Sequence, residues 1–180
     1  MFVSIRDARR SAADRHWIES SFERYLDDLM RVSMNTGMFP VFGGAGSESG
    51  DRQPELMARW FADDSSYPLV ILHDNKPTGF ALVSKPVMKT ADVDYRLAEF
   101  YVDRASRRHG VGREAAELIF NRFDGRWEIV EMLRNQVAVS FWRAVVSAYT
   151  HGQFKESVAN GELRQVFRSD PTHGRLRKTS

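Results

Sequence analysis

RRHGVGREAAELIF, residues 107–120, sets two glycines one residue apart behind a cluster of cations, and a helical pattern follows at once. Glycine takes left-handed backbone angles at no steric cost, so a tight turn between a strand and a helix accounts for the pair. An anion cradle accounts for it equally well, because unpaired N–H groups at a helix start attract phosphate. Both accounts require the same local structure: strand, turn, helix. The residues on either side supply it. Residues 97–102 read as a strand leading into the glycines. Residues 113–123 read as a helix, with Ala115, Ala116, Leu118, Ile119 and Phe120 available for packing.

The alternation continues outward. Residues 127–133 read as a strand and 137–149 as a helix. Residues 153–158 and 163–167 pair as a hairpin across Asn160-Gly161, a preferred two-residue turn. Upstream, residues 2–5 suit a short strand. Residues 9–30 suit an amphipathic helix carrying Trp17, Phe22, Tyr25, Leu26 and Leu29. A loop over 34–51 contains Gly43, Gly44, Gly46 and Gly50. A second helix starts at Asp51, with Pro54 in its first turn and Leu56, Met57, Trp60 and Phe61 beyond. Strands over 67–73 and 79–83 flank the turn chemistry of Asp74-Asn75-Lys76-Pro77. Strands that alternate with helices and end in a hairpin place the chain in the α/β (α+β) class. One domain is expected over 1–170, followed by a frayed basic tail over 171–180.

Bulk composition narrows the function. Hydrophobic residues make up 42% and charged residues 28%, an ordinary globular balance. A net charge of +2 gives a nucleic-acid partner no support, and Arg164, Arg168, Arg175, Arg177 and Lys178 form no recognition motif. With no cysteine there is no disulfide, thiolate metal site or cysteine nucleophile, and the five histidines show no ligand spacing, so no metal is expected. No apolar run is long enough to span a bilayer, and MFVSIRDARR carries charges where a signal peptide needs an apolar stretch. A cytoplasmic protein without a membrane partner is the expectation.

The loop fits neither familiar nucleotide motif. A third glycine is missing for G-x-G-x-x-G, and no G-x-x-x-x-G-K-S/T string occurs. Arg107-Arg108-His109-Gly110-Val111-Gly112 does fit R/Q-x-x-G-x-G/A. Asn135, Ala138, Phe141 and Trp142 fit N-x-x-A-x-x-F/L/Y-Y/W. Over residues 95–149 the chain resembles the GNAT N-acetyltransferase superfamily. The resemblance implies a mixed, mostly antiparallel twisted sheet of about six to seven strands, with a splayed parallel pair in the middle and about four helices around it. It also implies acetyl-CoA as cosubstrate and a primary amine of a small molecule or peptide as acceptor. A homodimer is left open.

By the same resemblance the backbone N–H groups of residues 108–113 bind the pyrophosphate. Side chains at Gly110 and Gly112 would obstruct it, and Arg107, Arg108 and Arg113 add positive charge or are solvated surface arginines. The backbone of Phe100, Tyr101 and Val102 pairs with the pantetheine arm as a neighbouring strand would. His109 and Val111 belong to the loop, with His109 turned to solvent or phosphate. Asn135 either contacts the arm or caps the helix after it. Trp142 stands where the family often has a tyrosine acid, and an indole N–H cannot serve as one. Tyr149 is then the candidate acid, or else a packed aromatic. Glu99 is the leading candidate base, against a structural pairing with Arg96, and Asp103 is the second candidate. The acceptor pocket is expected among Trp17, Tyr25, Met34, Met38, Phe39, Phe42, Trp60 and Phe61, most of them core by default. The loop 43–47 is read as a lid or a connector, and Asp63 and Asp64 as attractors of a cationic amine or ordinary surface acids. The Trp142 substitution keeps a second function in view: an acyl-CoA-binding sensor or interaction module of low activity on the same fold.

Overall fold

Left-handed residue pairs close two hairpins, one in the first half of the chain and one near its C-terminal end. Asp74 and Asn75 have φ of 48° and 64°, and Asn160 and Gly161 have 53° and 79°. Two successive positive φ values match the right-handed twist of paired strands, which is why Asp, Asn and Gly stand there. Lys76 and Pro77, read from the sequence as part of the first turn, belong to the returning strand.

The computed structural model describes residues 2–36, 53–86 and 93–170. In chain order the elements are β1 (Val3–Asp7), α1 (Ala12–Thr36), α2 (Gln53–Ala62), β2 (Ser66–His73), β3 (Lys76–Ser84) and β4 (Tyr95–Val102). They continue with α3 (Val111–Arg122), β5 (Arg126–Met132), α4 (Gln136–Thr150), β6 (Phe154–Ala159) and β7 (Glu162–Arg168). The strands form one seven-stranded sheet in the order β1-β2-β3-β4-β5-β7-β6. Only β4 and β5 run parallel; the other neighbours are antiparallel. The expected fold class is therefore the observed one, with a parallel pair in mid-sheet. α1 runs beyond the expected residue 30, so Met34 lies in this helix. α3 opens at Val111 and takes Gly112 into its first turn. Met38, Phe39, Phe42, the 43–47 loop and the 171–180 tail lie outside the described residues.

Strand alternation divides the core into two layers. Val70, Leu72, Phe80, Leu82 and Tyr101 face α1 and α2, where Ile18, Phe22, Tyr25, Leu26 and Met57 meet them. Leu69, Ala81, Val83, Leu97, Trp127, Ile129 and Phe167 face α3 and α4 through Ala116, Ile119, Phe120, Trp142, Val145 and Val146. Full burial of an aliphatic or aromatic side chain contributes ~1.5–3 kcal/mol, so these two layers fix the sheet between its helices. Val3, Ile71 and Val102 pack on Val111 and Ala115, and that contact seats the start of α3 beside the end of β4.

Candidate active site

β4 and β5 begin side by side and then part. Their register is Tyr95 with Trp127, Arg96 with Glu128 and Leu97 with Ile129, and it stops there, although β4 runs to Val102 and β5 to Met132. A bulge marks the parting. Leu82 of β3 opposes Glu99 and Val83 opposes Leu97, so Ala98 is an extra residue in β4. A bulge bends its strand and increases the local twist, which carries the end of β4 away from β5. The backbone edge of β4 that faces the gap is thereby left without a strand partner. The Asp103 N–H donates to the Thr78 carbonyl of β3. By alternation Tyr101 also turns its backbone to β3, while Phe100 and Val102 turn theirs to the gap. Of the three residues whose backbone was expected from the sequence to meet the arm, Phe100 and Val102 face the gap, and the Val102 carbonyl accepts from Arg107 Nε. Tyr101 is turned the other way, with its side chain buried and its hydroxyl donating to Asp103 Oδ1 at 2.8 Å.

The glycine loop lies at the end of that gap. Gly110 has φ 82° and forms the N-cap of α3, and Arg108 before it has φ 64°. The Gly110 carbonyl accepts the Glu114 N–H at 3.0 Å, so the N–H groups of Val111, Gly112 and Arg113 precede the first helical hydrogen bond. A Cβ at Gly112 would stand 3.3 Å from Phe141 Cζ and 3.7 Å from Phe100 Cε1. Glycine is needed there for packing between α3 and α4 as well as for access to the loop. Among the described residues Arg108, His109 and Arg113 are exposed and have no ion-pair partner. Arg107 differs from them. Its Nε donates to the Val102 carbonyl at 2.7 Å, its guanidinium pairs with Asp28 of α1, and it lies 5.5 Å from the centre of the Tyr101 ring. Arg104 holds the same Asp28. Burial pushes the Asp28 carboxyl up, but the hydrogen bonds and charges of the two arginines outweigh it and hold the pKa below the ordinary value. Arg107 is thus a strap from the loop to α1, which leaves Arg108 and Arg113 as the arginines of the loop open to an anion.

Glu99 projects from β4 two residues past the last β4–β5 pair. It does not pair with Arg96, whose guanidinium goes to Glu128. The Tyr25 hydroxyl of α1 donates to Glu99 Oε2 instead. Burial raises the Glu99 pKa to about 7, against the lowering effect of the Tyr25 hydrogen bond. Glu131 stands on β5 two residues past Ile129, on the α4 side of the gap, whereas the bulge at Ala98 turns Glu99 to the α1 side. Burial first, and then the charge of Glu99, raise its pKa to about 8. Tyr25 responds to both, and burial with the two carboxyl charges lifts its pKa well above the ordinary phenol value. The mouth of the gap therefore holds two carboxyls poised around neutrality and one buried phenol. That is an arrangement able to take up and release protons near pH 7.

The other sequence candidates fall into place around this centre. Asn135 caps α4, its Oδ1 accepting the Ala138 N–H at 3.2 Å. Trp142 is buried against Phe100, Phe141 and Phe120, so it floors the gap from the α4 side. Tyr149 is not brought near Glu99: its hydroxyl donates to Asn121 Oδ1 at 2.8 Å and accepts the Asp170 N–H, beside the last turn of α3 and the end of β7. Burial raises its pKa to about 12. Asp103 is occupied by Tyr101 and lies near Arg24. Asp63 receives the Ser65 N–H and hydroxyl. Sequence reasoning passed over Glu131 and placed Tyr25 among the acceptor-pocket aromatics, most of them core by default, with no link to Glu99. A signal for Glu131 was present: a second carboxyl inside a strand otherwise suited to burial, two residues beyond Trp127-Glu128-Ile129.

Comparison with known proteins agrees with this geometry. No curated protein matches the sequence at a significant level. The fold is similar to an acetyltransferase from Thermus thermophilus, with a TM-score of 0.66, 15% identity, and 93% of this chain and 97% of that one covered. It is also similar to the Escherichia coli ribosomal-protein-S18-alanine N-acetyltransferase (TM-score 0.57, 11% identity, 94% and 95% covered). A third likeness is to Salmonella typhimurium yncA, solved with its cofactor acetyl-CoA (TM-score 0.54, 14% identity, 94% and 95% covered). At these identities the likeness is one of fold. The sequence model of the acetyltransferase (GNAT) family matches residues 23–145, more than half of the chain and the whole stretch from the Tyr25 helix through the glycine loop into α4. The chain belongs to the GNAT acetyltransferase family.

Proposed function

We propose that the protein transfers an acetyl group from acetyl-CoA to a primary amine of a small molecule or peptide, by direct attack of the amine on the thioester. The observation that carries this reading is the parting of β4 and β5 in front of the glycine loop, with a carboxyl of pKa about 7 in the opening. The residues fit the cosubstrate. The first-turn N–H groups of α3, with Arg108 and Arg113 beside them, suit a pyrophosphate. On the edge of β4 that faces the gap, the Phe100 backbone and the Val102 N–H suit the amides of an extended arm, beside the Val102 carbonyl held by Arg107. Two of the similar folds act in the same direction: one is solved with acetyl-CoA and another is named for an alanine acceptor.

Bound acetyl-CoA would supply an acyl group already activated as a thioester. The protein's task is then to hold the reactants and manage protons. An amine attacks only when neutral, and at pH 7 about half of the Glu99 population is ionised and able to accept its proton. Tyr25 fixes one carboxylate oxygen and leaves the other for this purpose. Trp142 and Phe141 exclude water from the α4 side.

The test is thiol release from acetyl-CoA against spermidine, phenylethylamine and a peptide with N-terminal alanine, beside calorimetric binding of acetyl-CoA at several salt concentrations. Binding that weakens with salt and amine-dependent thiol release are expected. Glu99→Gln lowers turnover by about 10²-fold at neutral pH, the usual scale of general-base loss. Absence of acetyl-CoA binding overturns the reading. Binding without turnover on any amine reassigns the chain to an acyl-CoA-binding module.

A further inference from the structure

Cleavage of a thioester by an amine leaves sulfur as a thiolate, which must acquire a proton. Neither candidate on α4 provides one. Trp142 has only an indole N–H and is packed in the core, and Tyr149 is bound to Asn121 at the far end of the helix. We propose that Glu131 is the catalytic acid, its carboxylic acid protonating the departing sulfur while Glu99, opposite it across the gap between β4 and β5, takes the proton of the attacking amine. This rests on the acetyl-transfer reading above.

Placement comes first. Leu97 and Ile129 are the last registered pair of the parallel strands, and Glu99 and Glu131 follow it on either side of the gap. The extra residue Ala98 turns Glu99 to the α1 side with Tyr25, while Glu131, in alternation with Trp127 and Ile129, flanks the gap from the α4 side, where the sulfur needs its acid. The two carboxyls are near enough for the charge of one to act on the other, and both act on Tyr25. Glu131 also has no structural employment. Glu128, its neighbour on β5, takes both Arg96 of β4 and Arg164 of β7. Among the described residues Glu131 has neither an ion pair nor a side-chain hydrogen bond. A carboxyl buried without a cation keeps its proton at neutral pH. The groups that act on the pair are Tyr25 from α1 on Glu99 and the charge of Glu99 on Glu131; on β5, Glu128 is bound to Arg96 and Arg164.

Protons balance over a turnover. The C–N bond forms and the C–S bond breaks; Glu99 gains one proton from nitrogen and Glu131 gives one to sulfur. Exchange with solvent, which takes the proton from Glu99 and returns one to Glu131, then restores both groups for the next turnover. The donor also suits its task, since a carboxylic acid with pKa about 8 protonates an alkyl thiolate downhill.

The pH dependence of thiol release separates this role from packing. The acceptor is the best amine of the panel above, or water if none is turned over. The parent is expected to lose activity below about pH 7 as Glu99 becomes protonated, and above about pH 8 as Glu131 ionises. Glu131→Gln keeps parental acetyl-CoA binding, lowers turnover by about 10²-fold and abolishes the alkaline fall, whereas Glu99→Gln abolishes the acidic one. Glu131→Asp restores part of the rate together with an alkaline limb. If Glu131→Gln binds acetyl-CoA and retains parental turnover and the parental alkaline limb, Glu131 is not the acid. If Glu131→Gln does not fold, the parent profile decides: a rate that stays flat or rises from about pH 7.5 to 9.5, an order-of-magnitude range around the expected titration, overturns the proposal. Failure of the parent to bind acetyl-CoA removes the acetyl-transfer reading itself, an outcome distinct from an unmoved pH limb.

Discussion

Tyr25 connects the helical layer to the chemistry through one hydrogen bond. Its ring is packed among Phe22, Phe80 and Tyr101, and its hydroxyl ends on Glu99. The bond favours the ionised carboxylate and so opposes the upward push of burial. Tyr25→Phe removes the bond and keeps most of the packing. The Glu99 pKa then rises above about 7, and the acid limb of thiol release moves to higher pH. A several-fold loss at about pH 6.5 that closes by about pH 8.5 is expected, on the order of a one-unit shift. An unmoved acid limb would show that Tyr25 only packs. Glu99 was legible in the sequence because it precedes the glycine loop on the same strand. Tyr25 and Glu131 were not, for a physical reason. Their relation to Glu99 exists only across the register of β4 with β5 and across the α1–sheet contact, and neither is written in local periodicity.

At the scale of elements, the junction of α3 with α4 decides what a glycine variant reports. From the sequence, Gly112 is a surface-loop residue whose replacement obstructs only phosphate. In the structure it lies in the first turn of α3 with the Phe141 ring against it. A side chain there displaces Phe141, which stacks on Phe100 and meets Trp142 edge-on. Gly112→Val therefore lowers thermal stability by about 1–3 kcal/mol, the usual cost of overpacking, in addition to weakening acetyl-CoA binding. Phe141→Leu in the same chain recovers part of the melting temperature. A Gly112→Val protein that melts with the parent would place the ring elsewhere. The turns and most strand limits were readable because Asn-Gly, Asp-Asn and alternating apolar residues act locally. The start of α3 was misplaced by about two residues because a glycine there is at once a poor helix former and a good helix start.

For the molecule as a whole, carboxyls of two kinds set the pH range of stability. Asp28, Glu128 and Glu156 have pKa values below the ordinary carboxylate value in the fold. Their stabilisation is present at neutral pH and is lost as pH falls through those depressed values. Glu99 and Glu131 are raised to about 7 and about 8 from an ordinary 4.5. Between 4.5 and those values the folded chain binds more protons than the unfolded one, so their effect makes stability fall as pH rises. The melting temperature is expected to peak in mildly acidic solution, to decline as pH rises from there toward the Glu131 value of about 8, and to level off above it. Glu99→Gln with Glu131→Gln flattens that decline and leaves the acid side unchanged; a parental decline in the double variant would place its cause elsewhere. Fold class was readable at this scale because the strand–helix alternation leaves few topologies, while the strand order was supplied by the structure. The proton-handling pair was not readable either, since it depends on where two strands separate.

That separation also has a mechanical meaning. One side of the sheet, β1 to β4, is joined to the other, β5 with β7 and β6, by three registered residue pairs, whereas β5 and β7 share seven. The two sides are successive stretches of chain, so the sheet is a pair of leaves on a short spine. Load or thermal strain across the sheet concentrates at Tyr95–Leu97 and Trp127–Ile129, where hydrogen bonding is thinnest. A molecule whose own amides run along the open edge of β4 extends that spine and stiffens the protein at the place where it yields most easily.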